Sequence, residues 1–314
     1  MGKVANRIRR VMAALPAAAL VAACFGDKPP PVPPRSHAPL AGAKKASYHG
    51  AMDKKNPLDD PRLASAVFFP RPDAPFGPEA NGAYDRMHDV DGARIRLRVF
   101  PGPQGAPNIL FFHGNGETAR DYDHAADDYR ALPATLVVAE YRGYGPSTGR
   151  PSIRTFLGDA ARSLDEVKAL LAADGRRGPL VVMGRSLGSA PAIDLAASRP
   201  ADVKGLVVES GFARVVPLLE LLGIPARRLG VTEADGPDNG RKMGEVALPT
   251  LLLHAQEDRI IPIHDADLLF SACKDPGKAF VRVPGAGHND IQMRAGAAYF
   301  DAIRALLERV KTGG

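Results

Sequence analysis

The 314-residue chain has only two cysteines, Cys24 and Cys273, so a disulfide framework is excluded as the source of its stability. It contains no C-x-x-C, no H-E-x-x-H, no phosphate-binding loop and no G-x-G-x-x-G opening a helix after a strand. The metal and nucleotide chemistries that those spacings serve are therefore absent from its motifs. No internal repeat is visible. The N-terminal apolar stretch, residues 11–23, counts 13 residues and is interrupted by Pro16, whereas a helix crossing a bilayer needs about 20. What remains is ordinary: 45% hydrophobic and 24% charged residues, the composition of a folded globular chain and not of a disordered or fibrous one. The excess of positive charge is also local. Of the net +6, Lys3, Arg7, Arg9 and Arg10 supply four with no acid in the first 23 residues, so no nucleic-acid footprint and no nucleic-acid partner is expected.

Those first residues have the layout of a secretory signal peptide: a basic segment, MGKVANRIRR, then the short apolar stretch. The stretch ends in Val21-Ala22-Ala23-Cys24, which resembles the lipobox of bacterial lipoproteins, where the cysteine is acylated and becomes the new N-terminus. Residues 1–23 are thus expected to be removed and Cys24 to carry lipid, holding the protein on a membrane facing the periplasm or the cell surface. DKPPPVPPRSHAP, from Asp27 to Pro39, favours extended polyproline II and suits a semi-rigid tether. Residues 24–80 as a whole are expected to be tether and irregular chain that partly packs on a domain spanning residues 81–314.

From about residue 84 the pattern becomes regular. Arg94-Ile95-Arg96-Leu97-Arg98-Val99 alternates polar and apolar, predicting a half-exposed strand. Continuous apolar runs at 108–112, 136–139, 180–183, 206–208 and 250–253 predict buried parallel strands. A last strand is expected at 278–283. Helical periods at 117–131, 153–173, 187–198, 212–222 and about 290–310 separate them. Strands alternating with helices give an α/β fold with a mostly parallel sheet covered on both faces.

The chemistry gathers at the strand ends. Gly184-Arg185-Ser186-Leu187-Gly188 fits G-x-S-x-G, follows the buried run LVVM and opens the helical segment APAIDLAAS, the strand–turn–helix setting of a nucleophile elbow. A serine hydroxyl needs a base. His288, in the glycine-rich GAGHND loop between the last strand and the closing helix, is the candidate; His254 ends a strand and reads as structural. For the acid, Asp258 is favoured, with its neighbour Glu257 and the earlier Glu209 as rivals. His113-Gly114-Asn115-Gly116 follows the first buried strand, where the Asn115 backbone N–H supplies one oxyanion donor and Leu187 N–H the second. Tyr141, Arg142 and Tyr144 lie on the loop after the next strand and are candidate substrate contacts. Arg142 also reads as a structural partner for an acid, and Arg185 as a packing or salt-bridge residue.

Together these strings, with Glu140-Tyr141-Arg142-Gly143-Tyr144-Gly145-Pro146-Ser147 and QEDRIIP, resemble the α/β-hydrolase superfamily over about residues 84–310, and within it the small-lid serine hydrolases that include depalmitoylase-like enzymes. The resemblance implies an eight-stranded sheet, a Ser–Asp–His triad, and hydrolysis of esters or thioesters without a cofactor. The membrane-anchored eukaryotic members attach through different N-terminal sequences, so their protein substrates are not carried over. A lid is expected at about residues 210–247. Its 38 residues, broken by Gly223, Pro225, Gly230, Gly236, Pro237 and Gly240, allow one helix and a loop over an open site. The reading is a serine hydrolase for a small-molecule ester or thioester. A peptidase on the same scaffold and a catalytically silent binding module are the alternatives.

Overall fold

The computed structural model describes residues 56–73 and 82–313. Residues 1–23, expected to be a signal peptide, Cys24, and the proline-rich stretch expected to be a tether lie outside the described residues.

Eight strands form one sheet in the order β1-β2-β4-β3-β5-β6-β7-β8. They are β1 (Tyr84–Val90), β2 (Ala93–Phe100), β3 (Asn108–Phe112), β4 (Thr135–Ala139), β5 (Leu180–Arg185), β6 (Gly205–Glu209), β7 (Thr250–Ala255) and β8 (Ala279–Val283). The β1–β2 and β2–β4 pairs are antiparallel, and from β4 through β8 every pairing is parallel. The helices are α1 (Pro61–Val67), α2 (Ala126–Arg130), α3 (Ile153–Ala173), α4 (Ser189–Ser198), α5 (Val215–Leu221), α6 (Ala226–Leu229), α7 (Asn239–Met243), α8 (Ile263–Ala272), α9 (Ile291–Ala295) and α10 (Ala297–Lys311).

Successive side chains of a strand point to opposite faces, and β3 divides its residues accordingly. Leu110 and Phe112 join a core with Val182, Val208, Phe156 and Leu164 of α3, and Ile193 of α4. Ile109 and Phe111 join the opposite core with Met183, Leu253, Tyr129, and Ile303 and Leu307 of α10. Two covered faces explain why β3 to β7 are runs of Val, Leu, Ile and Phe without polar alternation. Every parallel strand thereby ends at one edge, where Ser186, Glu209 and Asp258 leave the sheet.

Four expectations need correction. The alternation in β2 does not mark a solvated face. Arg96 is 1% exposed and Arg98 4%, because each is surrounded by acids. Arg96 binds Asp73 (2.6 Å) and Glu140 (2.5 Å), and Arg98 binds Asp123 (2.6 Å) and Asp85 (2.8 Å). Residues 117–131 are not one helix but a 3-10 turn, Ala119–Asp123, followed by the short α2. The lid region carries three short helices (α5, α6, α7) and a 3-10 turn at Glu233–Asp235, more structure than one helix and a loop. Finally, the segment from residue 56 packs on the domain as expected, but within it Pro57–Asp59 and Pro61–Val67 are helical and not irregular. Asp60 accepts from the Arg62 N–H (3.0 Å) at the start of α1, Pro61 sets the first turn, and Leu58, Leu63 and Phe68 are buried in the core.

Candidate active site

The turn after β5 is dictated by close approach. A Cβ on Gly184 would lie 2.1 Å from the carbonyl oxygen of Gly188, and one on Gly188 2.0 Å from that of Phe112, so both positions must be glycine. Between them Ser186 adopts φ 52°, a left-handed conformation costing a non-glycine residue on the order of 1–3 kcal/mol. That strain lifts its side chain off the strand at the N-terminal end of α4.

Three side chains from three strand ends form one hydrogen-bonded chain. His288 Nε2 is 2.9 Å from Ser186 Oγ, and His288 Nδ1 is 2.6 Å from Asp258 Oδ2. A carboxylate only accepts, so the ring proton belongs on Nδ1 and Nε2 is left to accept from the serine. Asp258 Oδ1 accepts the N–H groups of Ile260 (2.9 Å) and Ile261 (2.8 Å), which fixes the carboxylate plane. His254, 1% exposed, donates from Nε2 to the Ile261 carbonyl (2.8 Å) and lies 3.5 Å from Asp258 Oδ2. Burial holds its imidazole below the usual histidine range, hence neutral.

The rival Glu209 is elsewhere engaged. Its Oε1 accepts from Arg185 Nε (3.1 Å) and its Oε2 from the Tyr299 hydroxyl (2.6 Å). Burial pushes this carboxyl up, against the opposing pull of Arg185 and Tyr299. The neighbour Glu257 is exposed and makes only a backbone bond to the Ala286 carbonyl (3.0 Å).

The loop holding Asn115 is braced from behind. His113 is buried with both ring nitrogens facing acceptors, Nδ1 the Gly114 carbonyl (2.8 Å) and Nε2 the Glu140 carboxylate (3.0 Å). Burial disfavours its charge, but the bond to and charge of Glu140, the Gly114 carbonyl and the charge of Glu117 together outweigh it and hold the imidazole above its ordinary value. The Asn115 amide faces away from solvent: Oδ1 accepts from Phe69 N–H (2.9 Å) and the Tyr144 hydroxyl (2.7 Å), while Nδ2 donates to the Val67 carbonyl (2.6 Å). Arg71 adds a bond from Nε to the Gly116 carbonyl (2.5 Å).

Those contacts correct the expectation of a substrate loop at Tyr141, Arg142 and Tyr144. Tyr141 and Tyr144 are 4% and 0% exposed, and Tyr141 donates to the His113 carbonyl (2.6 Å). Arg142 forms a bidentate pair with Asp159 (2.7 and 2.8 Å) and caps the Val90 carbonyl (3.2 Å). All three support the fold behind the site. Sequence reasoning missed Glu117 altogether. It accepts the Gly114 N–H (2.8 Å) and the Tyr122 hydroxyl (2.6 Å), and pairs with Arg185. Its position three residues after Gly114 was the available signal. Among the described residues no cluster of His, Cys, Asp and Glu could hold a metal, and no helix is long and apolar enough to cross a membrane.

Comparison with known proteins agrees with this architecture. The family described as serine aminopeptidase, S33, matches residues 104–232. The uncharacterized protein Rv2307c of Mycobacterium tuberculosis is 31% identical over 250 residues, covering 77% of this chain and 85% of that protein. Rat lysophosphatidylserine lipase ABHD12 is 30% identical over 198 residues, covering 55% and 47%. Among solved structures, a soluble variant of monoglyceride lipase from Saccharomyces cerevisiae superposes with a TM-score of 0.61 at 15% identity, covering 76% of this chain and 99% of that one. On the sheet order, the strand–turn–helix geometry at Ser186 and these relationships, the chain belongs to the α/β-hydrolase superfamily.

Proposed function

We propose that the protein is a serine hydrolase that cleaves carboxylic esters or thioesters through an acyl-enzyme. The observation that carries this reading is the unbroken Ser186–His288–Asp258 hydrogen-bond chain, closed at 2.9 and 2.6 Å, with the serine raised on a strained turn. Ser186 Oγ attacks the carbonyl carbon while its proton passes to His288 Nε2. Asp258 stabilises the imidazolium. The oxyanion is received by the N–H groups of Asn115 and Leu187, each worth about 3 kcal/mol of barrier in well-studied cases. Collapse expels the alcohol or thiol, which takes the proton from Nε2. Water then attacks the acyl-serine, giving its proton to Nε2, and the second collapse releases the acid and restores the Ser186 hydroxyl. No step calls for a cofactor.

The names of the rat and yeast relatives, both lipases, support a lipid-type ester. The lid is built from helices of four to seven residues, which favours an open acyl site with short or medium chains. Each buried methylene adds about 0.8 kcal/mol only while there is a wall to bury it against. The test is kcat/KM over esters of increasing acyl length, matched thioesters and aminoacyl amides. The expected result is a rise that levels off at medium chains, with amides far slower. A steady rise through long chains overturns the open-site view. Preference for aminoacyl amides favours instead a peptidase, the reading suggested by the name of the matched family.

We further propose that Cys24 is acylated and the enzyme is an extracytoplasmic lipoprotein, a reading supported only by the residue pattern up to Cys24. A fatty-acid analogue should label the wild type in a bacterial host and not Cys24→Ser. An unlabelled wild type that keeps Met1 refutes it.

A further inference from the structure

Arg185, the residue between Gly184 and the nucleophile, is largely but not fully buried, with 12% of its side chain exposed, and its guanidinium reaches four acceptors on three other segments. Nε donates to Glu209 Oε1 (3.1 Å) and Nη1 to Glu117 Oε1. Nη2 donates both to the backbone carbonyl of His288 (3.0 Å) and to Asn289 Oδ1 (3.1 Å). Glu117 carries the connection onward, because its second oxygen holds the Gly114 N–H (2.8 Å) at the start of the Asn115 loop. The ion pair lies so close to that loop that a Cβ on Gly114 would fall 2.5 Å from Arg185 Nη1. A side chain at position 114 would therefore have to displace the Arg185–Glu117 pair.

We infer that Arg185 is a positioning residue: one rigid guanidinium sets the distance between the loop presenting His288 and the loop presenting Asn115. This inference rests on the serine-hydrolase reading above. A planar fork with donors pointing in fixed directions holds several acceptors in one geometry, which an ammonium on a flexible stem does not. Among the described residues no other side chain anchored next to Ser186 bonds both loops. The charge survives burial because Glu117 and Glu209 flank it and outweigh the desolvation. Misplacement of a reacting group by about 1 Å can cost on the order of 100-fold in rate. The arginine thus acts on catalysis without touching substrate.

The test uses the full chain, p-nitrophenyl butyrate turnover and labelling by a fluorophosphonate, with Arg185→Lys, Glu117→Gln and the two combined. Arg185→Lys is expected to lower kcat by about 100-fold, as loop misplacement does, with KM nearly unchanged and a cooperative melt retained. Glu117→Gln replaces one accepting oxygen with a donor, so it breaks either the arginine bond or the Gly114 bond. Its loss in kcat should therefore not multiply with that of Arg185→Lys. Should Arg185→Lys fail to fold, Arg185→Gln with Glu117→Gln removes the arginine together with the acid bonded to its Nη1 and gives the same kcat readout. Wild-type kcat in Arg185→Lys overturns the proposal, as do losses that multiply in the combined variant. If a fluorophosphonate does not label the wild type at Ser186, the hydrolase reading itself falls and this inference falls with it. Labelling at Ser186 with unaltered kcat in the variants leaves that reading standing and sinks only the role of Arg185.

Discussion

Ser186→Ala is expected to abolish ester hydrolysis, with kcat falling on the order of a millionfold, as removal of the nucleophile does in other triads, and with the fold intact. The structural cost is small. Alanine keeps the Cβ, so the strain at φ 52° is unchanged, and the only side-chain bond lost is the one to His288. A fluorophosphonate should label the wild type at Ser186 alone, as read by mass spectrometry of the labelled peptide. Equal labelling of the alanine variant would sink the assignment.

Asp258→Asn is expected to lower kcat by about 10⁴-fold with little change in melting temperature, and Glu209→Gln to cost far less. The difference follows from proton placement. An asparagine amide can turn its NH2 toward His288 Nδ1, which drives the ring proton to Nε2, and an Nε2 that carries a proton cannot accept the one on Ser186. The backbone donors at Ile260 and Ile261 still find the amide oxygen, so the loop keeps its shape. Glu209 makes no bond to His288. A glutamine of the same shape keeps an oxygen as the acceptor for Arg185 Nε, and Glu117 still pairs with that guanidinium, so the change is tolerated. The ranking is read from kcat of the two variants side by side with their melts. A reversed order would move the acid to the end of β6.

The sequence made the parallel sheet legible because strands covered on both faces are written almost wholly in apolar residues, as in the NILFF, TLVVA and TLLLHA runs. The motifs were legible because each stands at the end of such a run. What escaped reading was structure paid for in ion pairs. Arg96 and Arg98 looked solvated, since their acids come from residues 73, 85, 123 and 140, distant in sequence. β1, YDRMHDV, has too polar a pattern to announce itself, and its first three residues are indeed exposed at the sheet edge. Tyr141 and Tyr144 were candidate contacts because their loop follows a strand at the edge that carries Ser186, but their hydroxyls serve backbone and amide groups of the neighbouring loop. Segment 56–73 was obscured by its prolines, one of which begins α1.

That segment also has a mechanical consequence. Val67, Phe69 and Arg71 are bonded directly to Asn115 and Gly116, so the chain leading into the domain runs over the Asn115 loop. A pull on the polypeptide ahead of Asn56 would load α1 first and then these bonds, well before it strained the sheet. The parallel strands would bear tension only after the Asn115 loop had been drawn out of place. A chain shortened to begin at residue 81 would be relieved of such force, yet it would lose the same braces and the burial of Leu58, Leu63 and Phe68. Residues 56–73 are therefore part of the folded domain, and a shortened chain that keeps these braces starts no later than residue 56.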